Sequence, residues 1–252
     1  MDELLDYRYI KERLPEDMEL RLFELIDSTS TEARRSLLSG TVPPAVFIAE
    51  EQSGGRGRTG KSFFSPRGSG IYLSLLLDST ETFDDGVFLT SAAAVAVRRA
   101  IFSVTGISPE IKWVNDLYFN GKKICGILTE SLTLGEKRYI IIGVGINLST
   151  EAFPEEISDI AASLGVTGVR NALCAECVNN LISVCKEPDR KALTEEYKGF
   201  SCVLGKQITY TENGRSYEGF AKDVNEYGHL IVEDSLGNTR TLSSGEISLR
   251  TK

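Results

Sequence analysis

The chain has 252 residues, of which 41% are hydrophobic and 25% are charged, so it can form one large domain, or one domain with a small second one. Its formal net charge is −8, which excludes the overall basic character of a nucleic-acid-binding protein. The N-terminus lacks the basic and apolar regions of a signal peptide, and no uninterrupted apolar run is long enough to span a membrane. We therefore expect a cytoplasmic protein.

The first 200 residues or so predict a mixed α+β domain. Residues 19–26 alternate polar and apolar side chains, as a half-buried strand does. Further strands are predicted over 45–49, 71–77, 110–114, 123–130 and 139–148. Helices are predicted over 31–38, 88–103, 155–164, 172–186 and 189–200. Antiparallel hairpins mixed with helices favour an α+β fold over the alternating βαβ units of a parallel sheet.

The composition changes near Ser201. From Gly205 onward the chain contains only short strand-like runs separated by glycine-containing turns. This spacing predicts a small β-barrel of about five strands. We therefore expect two domains, residues 1–202 and residues 203–252.

A glycine- and arginine-rich segment separates the strands predicted at 45–49 and 71–77. Its residues Gly55 to Ser62 match the pattern G-x-x-x-x-G-K-[ST] of a P-loop. A P-loop needs a helix that begins at the Lys-Ser pair, but here Pro66, Gly68 and Gly70 follow within eight residues. We call residues 55–69 the Gly/Arg loop. It can surround an anion with backbone N–H groups and guanidinium groups, but not in the manner of a P-loop NTPase.

Groups that could serve a binding site occur in four places, each at a strand end or on a strand that contains glycine. They are Ser28-Thr29, Gln52 with the Gly/Arg loop, the hairpin from Lys112 to Lys123, and the strand segment from Gly143 to Asn147. Glycine weakens a strand, so the two glycines of the last segment suggest a ligand that lies close against the backbone.

The sequence offers little for covalent catalysis. His229 is the only histidine, so a Ser-His pair has little support, and no paired carboxylates are obvious. Cys174 and Cys177 form a C-x-x-C pair within a predicted helix, and we expect buried thiols because no second cluster completes a zinc or redox site. Cationic donors without a nucleophile suit a transfer in which two substrates react while the protein positions them and neutralises phosphate.

These motifs together resemble the biotin–protein ligases of the bacterial type. The resemblance is carried by Gly-Arg-Gly-Arg-x-Gly at 55–60, Lys-Trp-x-Asn-Asp-Leu at 112–117 with Lys123 and Gly126, and Gly-x-Gly-Ile-Asn at 143–147. The tail at 245–250 matches the C-terminal signature of the family. The resemblance implies a catalytic domain related to class II aminoacyl-tRNA synthetases and a C-terminal SH3-like barrel.

The resemblance also implies a reaction in two steps. Biotin and ATP, with Mg²⁺, give biotinyl-adenylate and pyrophosphate, and a lysine of a biotin carboxyl carrier protein domain then takes the biotin. The family's DNA-binding members begin with a winged helix-turn-helix, whereas about 20 residues precede the first strand here. We therefore expect a monofunctional ligase without specific DNA binding or membrane association, and a homodimer is possible.

The resemblance assigns roles to individual residues. The implied catalytic residues are Lys123, Arg56 and Arg58. The implied biotin contacts are Ser28, Thr29, Ser30, Gln52, Arg56, Gly57, Arg58, Tyr72, Lys123, Gly126, Gly143 and Gly145. The implied ATP or adenylate contacts are Arg56, Arg58, Lys61, Phe63, Lys112, Asn115, Asp116, Lys123, Asn147 and Arg250, and Asp116 is also the implied contact to Mg²⁺.

The chain departs from the family pattern at three positions. Lys61 stands in place of a common Arg, which removes a bidentate contact, and Phe63 stands in place of Trp, which removes an indole N–H. Val114 stands in place of a common Pro. None of these changes removes an implied catalytic group.

Two other functions stay open. A lipoate or octanoate protein ligase would share the fold, but an acyl chain offers no ureido ring for Gln52, Ser28 and Thr29. A non-enzymatic protein that binds biotin or its adenylate and signals through the barrel is the alternative from another class. Transfer of labelled biotin to an apo-carrier domain distinguishes the ligase from the first alternative, and biotin-dependent exchange between ATP and pyrophosphate excludes the second.

Overall fold

The computed structural model describes residues 4–79, 86–212 and 214–249. The helices are α1 Tyr7–Lys11, α2 Thr29–Leu38, α3 Gly86–Thr105, α4 Arg170–Lys186 and α5 Arg190–Gly199. The first sheet contains β1 Glu19–Phe23, β2 Ala45–Ala49, β3 Gly70–Asp78, β4 Glu110–Lys112, β5 Asp116–Phe119, β6 Lys122–Leu134 and β7 Lys137–Asn147. The second contains β8 Gln207–Glu212, β9 Arg215–Val224, β10 Leu230–Glu233, β11 Thr239–Leu242 and β12 Glu246–Leu249.

The first sheet is mainly antiparallel, which confirms the predicted α+β class. Its strand order is β1-β2-β3-β7-β6-β5-β4, and only β1 and β2 pair in parallel. The long strands β3, β7 and β6 lie side by side in the middle. Their register places Tyr72 opposite Gly145, and Gly145 opposite Gly126. Three positions of the predicted site are therefore neighbours across three strands.

Short sequence signals explain several element boundaries. Ser28 is the N-cap of α2, so this helix begins at Thr29, two residues before the predicted start. Gly40 follows the helix with φ 97°, which only glycine adopts readily. Asn120 and Gly121 have φ values of 51° and 77°, the left-handed pair that a tight hairpin turn requires. This turn joins β5 and β6 as predicted.

Helix α3 lies at the centre of the hydrophobic core. It has 20 residues and a mean hydropathy of 1.6, so by length and composition it could cross a membrane. The sequence alone showed no uninterrupted run of that length because Arg98 and Arg99 interrupt it. In the structure 72% of the most apolar 18-residue stretch of this helix is buried. The helix contacts α4, α5 and β6. Its apolar surface is therefore covered by the protein's own core.

The prediction of a helix over residues 155–164 is wrong. Residues 155–160 form turns, and the segment pairs with the ends of two strands. The N–H of Lys123 donates to the carbonyl of Ile160 at 2.9 Å, and the N–H of Ala162 donates to the carbonyl of Lys123 at 2.9 Å. The N–H of Leu164 donates to the carbonyl of Asn147 at 3.0 Å. These tertiary hydrogen bonds override local helix propensity.

The N-terminal segment, which includes the unpredicted helix α1, is attached to the first sheet by a buried ion pair. The N–H of Leu5 donates to Glu50 Oε1 at 2.6 Å, and Arg170 Nη1 donates to Glu50 Oε2 at 2.7 Å. Arg170 Nε donates to the carbonyl of Gly70 at 3.0 Å. Glu50 and Arg170 are 5% and 2% exposed, so each charge depends on the other for compensation.

The second sheet is antiparallel, with the order β11-β10-β9-β8-β12. Its five short strands match the number predicted, and all begin after residue 203. This arrangement is consistent with an SH3-like barrel. Its buried side chains join the main hydrophobic core; they include Ile208, Tyr210, Ala221, Val224 and Val232. The domain boundary at residues 202 and 203 stays a prediction.

Candidate active site

The Gly/Arg loop folds back on itself between β2 and β3. The N–H of Gly57 donates to the carbonyl of Lys61 at 2.7 Å, and the N–H of Phe63 donates to the carbonyl of Gly55 at 2.8 Å. A single 3₁₀ turn occupies Arg58–Gly60, and no helix follows Ser62 before β3 begins. The structure therefore contradicts the P-loop interpretation. The folded loop carries Phe63 over the central strands.

The ring of Phe63 lies on the glycines of the central strands. A Cβ atom at Gly145 would lie 2.5 Å from Phe63 Cε1, and one at Gly126 would lie 3.3 Å from Phe63 Cε2. The ring also makes an edge contact with Tyr72, with 6.5 Å between ring centroids. The sequence suggested a ligand close to the backbone here. The structure shows that one of the protein's own side chains already makes that close approach.

A buried hydroxyl network lies beside this glycine floor, at the start of α2. Ser28 Oγ accepts the N–H of Thr31 at 3.4 Å. Thr29 donates to Gln52 Oε1 from its backbone N at 2.8 Å and from Oγ1 at 3.1 Å. Ser74 Oγ lies 2.8 Å from Thr29 Oγ1 and 2.9 Å from Ser30 Oγ. The side chains of Ser28 and Thr29 are therefore both hydrogen-bonded within the protein.

Gln52 joins this network to the Gly/Arg loop. Its Nε2 donates to Ser65 Oγ at 2.9 Å, while Ser65 Oγ donates to the carbonyl of Phe63 at 3.0 Å. Both ends of the Gln52 amide are thus oriented. Gly143 allows the network to approach the sheet, since a Cβ there would lie 2.5 Å from Ser30 Oγ. Sequence reasoning missed Ser65 and Ser74; the available signal for Ser74 was that it is the one serine within the apolar run of β3.

Arg56 is held on the sheet by a carboxylate that sequence reasoning also missed. Its two terminal nitrogens each donate to one oxygen of Glu130, both at 3.1 Å. Arg34 Nη2 donates to Glu130 Oε1 at 2.9 Å. The Glu130 side chain is 15% exposed, whereas those of Arg34 and Arg56 are 40% and 42% exposed. Two guanidinium groups therefore share one carboxylate, which leaves a local excess of positive charge.

Arg58 and Lys123 are both held by the Lys-Trp-x-Asn-Asp-Leu motif. Arg58 Nη1 donates to Asn115 Oδ1 at 2.9 Å, and Asn115 Nδ2 donates to the carbonyl of Ile127 at 2.9 Å. Lys123 Nζ lies 2.7 Å from Asp116 Oδ1. It also lies 3.2 Å from the position of a Cβ at Gly126. The loop, the hairpin and the glycine-containing strands thus meet at one face of the sheet.

Other predicted site residues make structural contacts at the margin. Lys112 Nζ donates to the hydroxyl of Tyr118 at 3.1 Å. Asn147 Nδ2 donates to the carbonyl of Ala162 at 3.1 Å, which ties the 155–164 segment to β7. Lys61 is exposed in the Gly/Arg loop. Arg250 lies outside the described residues, so its predicted contact with ATP stays a prediction.

Tyr72 is fully buried under the loop. Its hydroxyl donates to the carbonyl of Pro66 at 2.9 Å. Burial raises the pKa of Tyr72 to about 12, so the hydroxyl stays protonated and keeps donating across the physiological range. The predicted packing of this ring against biotin stays a prediction; its observed aromatic neighbour is Phe63.

The described part of the chain contains no group of three or more His, Cys, Asp or Glu side chains that could hold a metal ion. Asp116, the predicted Mg²⁺ contact, is paired with Lys123. The residues present therefore do not fit a dedicated protein site for Mg²⁺. The cysteines of the C-x-x-C pair, Cys174 and Cys177, are buried in α4 as expected.

The segments that form the two sheets each match the model of a known protein family. Residues 22–147 match the model of the Biotin/lipoate A/B protein ligase family, and residues 203–250 match the Biotin protein ligase C terminal domain. The chain is 31% identical to the bifunctional ligase/repressor BirA of Bacillus spizizenii, over 90% of this chain and 72% of that protein. It is 28% identical to the biotin–[acetyl-CoA-carboxylase] ligase of Mycobacterium tuberculosis, over 87% of this chain and 85% of that protein.

A solved structure shares the fold. The biotin protein ligase from Aquifex aeolicus in complex with biotin and ATP has a TM-score of 0.77 and 27% identity to this chain. The match covers 93% of this chain and 99% of that protein. The predicted architecture, a synthetase-like catalytic domain followed by a small C-terminal β-domain, agrees with this likeness.

Proposed function

This chain belongs to the Biotin/lipoate A/B protein ligase family, and from that premise we propose that it activates biotin with ATP and transfers biotin to a carrier protein. One observation carries the proposal most strongly. Lys123, Arg56 and Arg58 come from two separate segments, and each is held by a residue of β5, of β6 or of the turn before β5, next to the glycines of β6 and β7. Such a face suits two anionic substrates that must approach each other.

The first step joins biotin to the nucleotide. A carboxylate oxygen of biotin attacks the α-phosphorus of ATP, a new P–O bond forms, and the bond to the β-phosphate breaks to release pyrophosphate. The two reacting groups are anions, so their approach is opposed by repulsion. The ammonium group of Lys123 and the guanidinium groups of Arg56 and Arg58 offset that charge. Asp116 and Asn115 hold two of these cations in place.

The second step transfers the biotinyl group. The uncharged ε-amine of the carrier lysine attacks the carbonyl carbon of biotinyl-adenylate, and an amide bond forms. AMP leaves with the electrons of the broken acyl–oxygen bond, and the proton lost from the nitrogen passes to solvent. No covalent attachment to the enzyme is needed. This agrees with a site that supplies cations and hydrogen bonds but no paired nucleophile and base. The substrate of this step is a lysine in a biotin carboxyl carrier protein domain.

The polar network supports biotin over lipoate or octanoate as the acid. Thr29, Gln52 and Ser74 form a connected set of donors and acceptors next to the glycine floor. A ureido ring can exchange hydrogen bonds with such a set, whereas an acyl chain has no donor or acceptor to offer it. Competition by lipoate in a biotin-binding measurement tests this assignment.

We propose that Mg²⁺ enters with the ATP phosphates and is not held by a protein site of its own. Mg²⁺ usually keeps several waters and binds through one or two carboxylates together with substrate phosphates. Asp116 can supply a single carboxylate at most, and its Oδ1 already lies 2.7 Å from Lys123 Nζ. We assign no catalytic step to the ion.

Three further expectations belong to the same proposal. The reaction takes place in the cytoplasm. The chain does not bind DNA in a sequence-specific way, and its net charge of −8 supports this. A homodimer would use the edge strand β1 of the first sheet. Cell fractionation, a gel shift at moderate salt and sedimentation analysis test these expectations in turn.

The decisive experiment is biotin-dependent exchange of labelled pyrophosphate into ATP, followed by transfer of labelled biotin to an apo-carrier domain. The proposal expects exchange only when biotin is present, and transfer only to a carrier whose acceptor lysine is intact. Exchange that depends on lipoate, or binding of biotin without exchange, would replace the proposed function with one of the two alternatives.

A further inference from the structure

Two residues from outside the hairpin anchor the Lys-Trp-x-Asn-Asp-Leu motif. Trp113 Nε1 donates to the carbonyl of Gly228 at 2.8 Å, and the hydroxyl of Tyr197 donates to the carbonyl of Val114 at 3.2 Å. Gly228 lies in the turn between β9 and β10, and Tyr197 lies in α5. Consecutive residues of the motif are therefore held from the second sheet and from a helix of the first domain.

The anchored residues immediately precede the two that hold cations of the site. Asn115 accepts from Arg58 and Asp116 pairs with Lys123. The two side chains that donate these hydrogen bonds are buried: Trp113 is 4% exposed and Tyr197 is 1% exposed. Water cannot easily replace a lost partner at this depth, so loss of either bond leaves a buried carbonyl without its donor.

The turn that receives Trp113 is itself tightly supported. Gly228 has φ 79°, and a Cβ there would lie 2.7 Å from Ser91 Oγ and 3.1 Å from the carbonyl oxygen of Val87. Asn225 Oδ1 accepts the N–H of His229 at 3.0 Å, which closes the turn. The turn is thus pressed against the start of α3 and has little room to shift. Its carbonyl is a fixed acceptor.

We propose that Trp113 and Tyr197 are positioning residues for the nucleotide side of the site. They fix the backbone before Asn115 and Asp116, and through these residues they hold Arg58 and Lys123 where the phosphates of ATP bind. The turn at residues 225–229 of the second sheet thereby contributes to ATP binding without touching ATP. This inference rests on the proposed function, since it takes ATP as a substrate.

The chain offers a matched control for this proposal. Lys198 Nζ lies 2.9 Å from Asp223 Oδ1, so it also joins α5 to the second sheet. This ion pair is separate from the bonds that anchor residues 113 and 114. Lys198→Met therefore removes a contact of α5 with the second sheet while it leaves those two bonds in place.

The experiment compares the full chain with Trp113→Phe, Tyr197→Phe and Lys198→Met. Each aromatic variant loses one donor, and Tyr197→Phe keeps its ring whereas Trp113→Phe replaces the indole with a smaller phenyl ring. We expect KM for ATP in pyrophosphate exchange to rise about three- to tenfold. Biotin affinity, measured by calorimetry, should fall by a smaller factor than KM for ATP rises, because the Thr29 and Gln52 network is not altered. Amide hydrogen exchange over residues 115–117 should become faster in both aromatic variants and not in Lys198→Met.

Three results would overturn the proposal. One is an unchanged KM for ATP together with unchanged hydrogen exchange over 115–117. Another is an equal rise in KM with Lys198→Met, and the third is an equal loss of biotin affinity. If Trp113→Phe does not fold, Tyr197→Phe decides, since it removes a single oxygen atom.

The outcome is separable from that of the proposed function. Absence of biotin-dependent exchange in the unaltered chain would reject the ligase activity. Hydrogen exchange over residues 115–117 and direct ATP binding by calorimetry would then still decide the positioning proposal.

Discussion

Alanine at Gly145 places a methyl group where the ring of Phe63 lies. The new Cβ would be 2.5, 2.7 and 2.8 Å from ring atoms Cε1, Cζ and Cδ1, so the ring must move. Overpacking a filled position costs about 1–3 kcal/mol. The ring belongs to the Gly/Arg loop, which can move more easily than a residue of the core. We therefore expect the free energy of unfolding to fall by about 1–2 kcal/mol, the lower part of this range. Gly145 lies within β7, where alanine suits the extended backbone.

A double-mutant cycle with Phe63→Ala isolates the cause. Once the ring is removed, Gly145→Ala should cost less than about 0.5 kcal/mol, so the coupling should account for most of the single-variant loss. Gly126→Ala is the graded control, since its Cβ would meet Lys123 at 3.2 Å and the ring at 3.3 Å. We expect it to cost less than Gly145→Ala, because a flexible lysine can move by a few tenths of an ångström.

Urea unfolding of the four proteins in the cycle measures the free energies. A cost for Gly145→Ala that is equal with and without the Phe63 ring would refute the reasoning. In that case the ring would not rest on β7 in solution. Biotin affinity of Gly145→Ala should also fall, because the glycine floor lies within the proposed site.

Four further expectations concern charge, loop order, retention of the adenylate and pH. Lys123→Ala should lower biotin-dependent pyrophosphate exchange at least ~10²-fold, with a smaller effect on biotin binding. Trypsin cleavage after Arg56 or Arg58 should be suppressed by biotin with ATP, because a glycine-rich loop is ordered by its ligands. Arg58→Gly should release the adenylate early and label lysines of unrelated proteins. The pKa of Tyr72 is about 12 in the folded chain and 10.0 ordinarily, so between pH 10 and 12 the unfolded chain loses this proton and the folded chain keeps it. The free energy of unfolding should therefore fall over this range, and it should fall less in Tyr72→Phe.

Each of these has a contrary result. Near-normal exchange with Lys123→Ala would remove its role in charge compensation. Equal cleavage with and without ligands would mean that the loop is already ordered, and an unchanged labelling pattern with Arg58→Gly would show that it does not retain the adenylate. An identical decline of stability above pH 10 in Tyr72→Phe would assign that decline to other groups.

Local signals sufficed for most of the fold. Alternation in residues 19–26, the apolar run at 45–49 and the Asn120-Gly121 turn each predicted an element that the structure contains. The helix predicted over 155–164 failed for a reason that no local pattern carries. Its backbone groups are satisfied by Lys123 and Asn147, which are distant in sequence. A partner of this kind is visible only once the strands are assembled.

The sequence predicted those site residues that belong to a motif, and it did not predict those that lie outside the motifs. Lys123, Arg58 and the strand glycines carry recognisable patterns, and the structure brings them together. Glu130 and Ser74 belong to no motif. Their roles come from the partners that reach them across the sheet, Arg56 and Thr29. Which side chains fill the glycine floor could likewise not be predicted, because this depends on how the Gly/Arg loop folds back.

The buried pair of Glu50 and Arg170 has a consequence for the order of events during synthesis. The backbone N–H of Asp6 donates to Asn171 Oδ1, a separation of 165 residues. At about 5–20 residues per second, the ribosome adds α4 roughly 8 to 33 seconds after the N-terminal segment. Until then Glu50 lacks its cation and must stay hydrated. The residues that precede β1 are therefore synthesised well before the partners in α4 to which they bind.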